Sequence, residues 1–208
     1  MCKKIFIGAT GQHCGKTTIS LSLMYLARKK YPRVGFMKPI GPKCIEFNGI
    51  TVDKDAAMFA SVFGVEEDVA LMSPMTLTAG TTRRFLDGEL DLATPRELIL
   101  AACRKMEEKY DFLIIEGAGH GGVGSVVGAN NAMVAKMLNA PVLMITGGGI
   151  GNVIDSVELN LALYEREKTE VRVIMANKLV TKKRDGDPIH SIQFRPGTVH
   201  EILREHSH

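Results

Sequence analysis

Residues 5 to 23 read IFIGATGQHCGKTTISLSL. The stretch opens with an apolar run, passes through small and polar residues, and resumes an apolar pattern at helical spacing after Gly15-Lys16-Thr17. A loop that leaves a strand and enters a helix gathers its backbone amides and the positive helix end at one point, which suits a phosphate. There Lys16 can reach the outer phosphates as a point charge, and the Thr17 hydroxyl can bind a magnesium ion that bridges them. The loop residues Gly11, Gln12, His13, Cys14 and Gly15, with Lys16, Thr17 and Thr18 at the helix start, are therefore the candidate contacts to a nucleotide. The strict pattern G-x-x-x-x-G-K-[ST] would need glycine at position 10, where the chain has Thr10, so this is a relaxed form flanked by Gly8 and Gly11.

Outward from that loop, the same grammar repeats. Residues 3–8, 34–38, 110–116, 141–146 and 171–177 are short runs rich in Val, Ile, Leu, Met and Phe and read as buried strands. Residues 17–30, 55–63, 130–139 and 152–168 carry apolar residues at helical spacing. Thr94-Pro95-Arg96-Glu97 predicts a further helix to about Lys109, with Thr94 as cap, Pro95 at a position that needs no amide, and Glu97 bonding back. Alternation of this kind predicts an α/β fold with a mostly parallel sheet and helices on both faces, and ligands at the loops leaving the carboxyl ends of the strands. Residues 1–180 form one domain on this reading, and the polar segment TKKRDGDPIHSIQFRPGTVHEILREHSH, residues 181–208, is a tail with a short helix expected over 198–205.

A magnesium-nucleotide site needs carboxylates, and Asp53 or Asp55 in VDKDAAMF and Glu116 in YDFLIIEGAGHGG are the candidates. Glu116 ends a buried strand, where a carboxylate is costly unless a cation or donors meet it. Helix capping competes with metal binding as a role for Asp55, and a turn cap or a lysine partner competes at Glu116. Lys38 closes the second strand before Pro39 and can face the phosphate loop, with a solvated surface lysine as the alternative. The loop GAGHGGVGSVVGANNAM, residues 117–133, has enough glycine for close backbone approach to a substrate oxyanion, or for a compact turn. TGGGIGN, residues 146–152, is similarly permissive and is assigned substrate or dimer contact. Asn177 ends the fifth strand and carries a donor and an acceptor in one plane, matching a purine edge as well as a turn.

The remaining composition excludes more than it assigns. A net charge of +3 with scattered Lys and Arg gives no reason to expect nucleic acid or a membrane surface. Cys2, Cys14, Cys44 and Cys103 are too widely spaced for a C-x-x-C motif and read as reduced thiols of a cytoplasmic protein. The N-terminal apolar run is too short for a signal peptide or a spanning helix.

Taken in order, GATGQHCGKTT, MKPIG, DKDAAMF, LIIEGAGHGG, NAPVLMITGGGIGNVID and MANK resemble the dethiobiotin synthetase and cobyrinic acid a,c-diamide synthase group, over about residues 3–180. The chain is also similar to the N-terminal domain of some long phosphotransacetylases, and TTRRFLDGE, residues 81–89, is closer to that domain. The resemblance implies a P-loop NTPase-type three-layer fold in which the γ-phosphate of ATP passes to a small-molecule carboxylate or carbamate, making a mixed anhydride that an amine attacks. It implies that Lys16 and Lys38 stabilise the migrating phosphoryl group, that Thr17, Asp55 and Glu116 arrange Mg2+, and that Asn177 meets adenine. A homodimer with a site completed across a two-fold axis is implied as well, with residues 147–164 as its surface. Resemblance to the phosphotransacetylase domain implies instead a regulatory nucleotide-binding module without a substrate of its own. Two stretches depart from the synthetase pattern: Ile40-Gly41-Pro42-Lys43 stands where a serine-glycine is expected, and His120 with extra glycines follows Glu116.

Overall fold

A computed structural model describes residues 2–178 and 192–194. In chain order the elements are β1 (Lys3–Ala9), α1 (Lys16–Ala27), β2 (Val34–Met37), β3 (Ile40–Gly41), β4 (Cys44–Phe47), β5 (Ile50–Asp53), α2 (Lys54–Phe63), α3 (Val69–Met72), β6 (Met75–Thr76), α4 (Thr81–Leu86), α5 (Thr94–Lys109), β7 (Phe112–Glu116), α6 (Asn131–Met137), β8 (Val142–Gly147), α7 (Ile150–Arg166), β9 (Val171–Asn177) and β10 (Ile192–Phe194). The five strands expected from apolar runs are β1, β2, β7, β8 and β9, and they form one parallel sheet in the order β9-β8-β1-β7-β2. β10 adds antiparallel to the outer edge of β9, with Ile192 opposite Ala176. The helix expected over residues 198–205 lies outside the described residues.

The sheet is buried on both faces. Neighbouring residues along a strand point to opposite sides, yet Phe6 and Ile7 of β1, and Leu113, Ile114 and Ile115 of β7, are all fully enclosed. α1 packs on β1, β2 and β7, α7 on β8 and β9, and α5 on β7. The strand order reverses around β1: α1 carries the chain past β7 to β2, whereas β8 lies on the other side of β1. Loops leaving a sheet at such a reversal border a crevice open to ligands. The loops after β1 and β7 are both glycine-rich.

Side-chain caps start two of the helices, and a third expected cap needs correction. Asn130 caps α6 by accepting from the Met133 amide at 2.9 Å, and Asp53 caps α2 by accepting from the Asp55 amide at 2.9 Å. α5 begins at its expected cap, one residue earlier than the sequence predicts. Thr94 is its first helical residue and makes no side-chain cap, because Asp91 accepts the Ala93 amide at 2.8 Å and tightens the chain a turn upstream. Unforeseen is the antiparallel hairpin of β4 and β5, closed by Asn48 and Gly49 at φ 50° and 76°. Asn-Gly between alternating residues is a strong hairpin signal, and IEFNGITV carries it. Among the described residues, no helix is long and apolar enough to cross a membrane.

Candidate active site

The loop after β1 is clamped before it turns. The Thr10 amide donates to Ile145 O at 2.9 Å and its hydroxyl bonds Thr146 at 3.0 Å, fixing the loop's first residue to β8. From below, the Asn177 side-chain amide donates to Cys14 O at 3.0 Å and the Lys178 ammonium to His13 O at 2.8 Å. Gly15 then enters α1 at φ 99°, and a methyl group there would meet Asn177 Nδ2 at 2.4 Å. Glycine is thus required twice over, by the left-handed backbone and by the close approach. Asn177, expected against a purine, has its amide engaged beneath the loop, and the Cys14 thiol is buried.

Lys16 opens α1 with its side chain almost enclosed, donating to Gly11 O at 3.1 Å and Gly119 O at 2.8 Å. It therefore ties the loop after β1 to the loop after β7. Burial, helped by the nearby charge of Lys38, pushes its pKa below the ordinary lysine value of 10.5. Lys38, directly after β2, is 4% exposed and is no solvated surface lysine. Its Nζ lies 2.6 Å from Glu116 Oε1 and 3.2 Å from Asp55 Oδ2. Burial lowers the Lys38 pKa, but the charge and hydrogen bond of Glu116, with Asp55, more than offset it, so it stands above the ordinary value.

Thr17 donates to the same Glu116 Oε1 at 3.2 Å. Asp53, fully buried, uses its oxygens on the Asp55 and Lys43 amides, which leaves Asp55 free to face Lys38. Burial drives the Asp53 pKa upward despite the Lys38 charge. Capping and cation binding, competing readings for one aspartate, are thereby divided between two.

These residues line one cavity of about 260 Å³ at the carboxyl edge of the sheet, together with Pro42, Lys43 and Gly119. The donor set fits a magnesium ion. Among the described residues Glu116 Oε2 is buried without a hydrogen-bond partner, an acceptor in want of a cation. Among the described residues no three His, Cys, Asp or Glu side chains form a metal-holding group. Mg2+ is commonly held by one or two carboxylates plus phosphate oxygens and water, not by an all-protein cage.

The glycine-rich loop after β7 is braced by two asparagines that sequence reasoning did not single out. Asn131 donates to Ala118 O and His120 O, each at 2.6 Å, and accepts from the Ala118 amide at 3.2 Å. Asn160 of α7 accepts from the Gly121 amide at 2.8 Å and donates to Thr10 O at 3.3 Å. The first could have been suspected from its place beside a capping Asn130, whereas nothing local marks Asn160. Ala118 and Gly119 border the cavity, while the His120 side chain is exposed and residues 146–152 lie outside its lining. Of the synthetase departures, Ile40-Gly41 is a buried strand packed against Asp53, and Pro42 and Lys43 reach the cavity wall.

With that geometry in place, comparison with known proteins is decisive for the family. The AAA domain family AAA_26 matches residues 3–208. The chain belongs to it. Its relatives make this P-loop family dethiobiotin synthetase-like. The ATP-dependent dethiobiotin synthetase of Clostridium novyi is 23% identical over 182 residues, covering 85% of this chain and 76% of that enzyme. The synthetase of Idiomarina loihiensis is 26% identical over 167 residues, covering 80% and 75%. The phosphate acetyltransferase of Synechocystis is 28% identical over 193 residues, covering 86% of this chain but 25% of that protein. Among solved structures, the kinase domain of the Escherichia coli tyrosine kinase ETK aligns with TM-score 0.52 at 14% identity over 89% of this chain and 71% of its own. A plasmid partition protein from Borrelia burgdorferi aligns with TM-score 0.50 at 13% identity, covering 99% and 87%. At such identity these two bear on the fold alone.

Proposed function

We propose that this AAA_26 protein is a Mg2+- and ATP-dependent ligase-type enzyme that activates a small carboxylate or carbamate by phosphoryl transfer. The observation carrying this reading is the convergence of Lys16, Thr17, Lys38, Asp55 and Glu116 on one cavity at the end of the P-loop. An acceptor oxygen attacks the γ-phosphorus, the bond to the bridging oxygen of ADP breaks, and a mixed acyl or carbamoyl phosphate forms. An amine then attacks the activated carbon, and phosphate leaves. Magnesium would be held by Thr17, Asp55 and Glu116 and would supply neutralisation of phosphate charge. Lys16 would neutralise the outer phosphates, and Lys38 would follow the charge that develops on the transferred group. Lys43 on the cavity wall favours an anionic acceptor. The active form is a homodimer, for which Leu159 of α7, 77% exposed, offers an apolar contact.

The acetyltransferase relative favours a second reading, because this chain matches only a quarter of that protein: a nucleotide-binding regulatory module. ADP release measured with ATP alone and with panels of small carboxylates and diamines separates the two. Release that requires an acceptor and leaves an amide or cyclic urea supports the enzyme, whereas tight ATP binding with no acceptor-dependent release across the panel supports the module.

A further inference from the structure

Lys38 does more at this site than wait for a phosphoryl group. Its ammonium lies between the two carboxylates, within 2.6 Å of Glu116 Oε1 and 3.2 Å of Asp55 Oδ2, and Thr17 Oγ1 converges on the same Glu116 oxygen. The lysine nitrogen thus occupies the space between Asp55 and Glu116 that a metal held by both carboxylates would need. A buried ion pair of this kind is held firmly, since separating it leaves an uncompensated charge out of water.

Four lysines, Lys16, Lys38, Lys43 and Lys178, and three carboxylates, Asp53, Asp55 and Glu116, line the cavity. A divalent ion entering alone would add two positive charges to a cavity that already has an excess of cations. A divalent ion entering with a triphosphate would not. The triphosphate also offers Lys38 an alternative anionic partner a few ångströms away.

Building on the nucleotide-site reading above, we propose that Lys38 is the resident counter-cation of the Asp55–Glu116 pair and makes metal binding conditional on nucleotide. The metal takes the carboxylates only when a phosphate group draws the ammonium off them. One residue would thereby offset the carboxylate charge of the empty site and arrive at the γ-phosphate with the metal's entry, which couples correct loading to catalytic geometry.

The test is Mn2+ binding to nucleotide-free protein, followed by the electron paramagnetic resonance of the free ion. Lys38→Met should bind Mn2+ at least about 10-fold more tightly than wild type, as expected when a cation beside paired carboxylates is removed. A Lys38→Met, Glu116→Gln double variant should lose that gain, and Lys38→Arg should stay at the wild-type value. Saturating ATP should narrow the difference between wild type and Lys38→Met. Equal Mn2+ affinity in nucleotide-free wild type and Lys38→Met would overturn the proposal. Should Lys38→Met fail to fold, 15N-lysine resonances of the wild type decide instead. The Lys38 signal should ignore Mg2+ alone and move on adding Mg2+ with ATP, and a shift with Mg2+ alone would overturn the proposal. ATP affinity measured without metal keeps the two readings apart: wild type that binds ATP but fails these tests loses only the inference, whereas wild type that binds no ATP loses the nucleotide site itself.

Discussion

Two lysine–glutamate pairs stand at opposite edges of the same sheet. At the amino edge Lys4 pairs with Glu107, with 16% and 33% of their side chains exposed; at the carboxyl edge Lys38 pairs with Glu116, with 5% and 0% exposed. The amino-edge pair borders a groove of about 1020 Å³, far larger than the 260 Å³ cavity around Lys38. Yet the large groove has only side chains at helix and strand ends, while the small cavity has two glycine-rich loops, a helix N-terminus and an orphaned carboxylate oxygen. Water screens the first pair and not the second. Buried convergence, not size, distinguishes the site.

The comparison breaks first if the two lysines matter equally. Lys38→Ala leaves Glu116 buried without its cation and should destabilise the protein by about 3–5 kcal/mol, read as a shift in the urea midpoint. Part of that loss should return with millimolar Mg2+, because the unpaired carboxylates then have another cation to take. Gly15→Ala comes next. Its left-handed backbone and the 2.4 Å approach to Asn177 make a loss of about 1–2 kcal/mol the expected effect. Weaker ATP binding should accompany it, since the loop backbone must shift, and calorimetric titration would register an unchanged affinity if the loop does not contact nucleotide. Smallest is Lys4→Ala, which should change stability by about 0–1 kcal/mol and leave ATP affinity alone. A loss at Lys4 as large as that at Lys38 would mean that burial does not separate the edges.

At the same amino edge, the Cys103 thiol is buried and pushed up to about 11 by burial and then by Glu107. It should therefore resist alkylation at pH 8 in the folded protein, because almost none of it is thiolate there. Mass spectrometry after brief iodoacetamide treatment checks this, and rapid Cys103 labelling would show that the edge opens.

What was legible in the chain follows the range of the forces involved. The five parallel strands could be read because each is a short apolar run, and a strand buried on both faces needs nothing else. Lys16 and Thr17 could be read because their roles depend on adjacent positions in one loop. Lys38, Asp55 and Glu116 were legible as types of residue at strand ends, whereas their mutual contacts span 17 and 78 positions and come from sheet order. The division of labour between Asp53 and Asp55 was not legible, because either can cap α2 and only the Lys43 amide and the Lys38 ammonium decide between them. Asn160 escaped notice altogether: its partners Thr10 and Gly121 are 150 and 39 residues away, and an asparagine on a helix face carries no local mark. Thr94 misled because the cap pattern is local but Asp91 satisfied the turn first.

The central claim, that the loop after β1 is a nucleotide site built around a buried lysine, is tested most directly by calorimetric titration of Mg2+-ATP into wild type and Lys16→Ala. Lys16 is the cation that both glycine-rich loops hold in place, and its removal takes away the charge aimed at the outer phosphates. The wild type should show saturable one-site binding and Lys16→Ala no detectable heat at the same concentrations, with the variant still folded by circular dichroism. Equal affinity in the two proteins would contradict it.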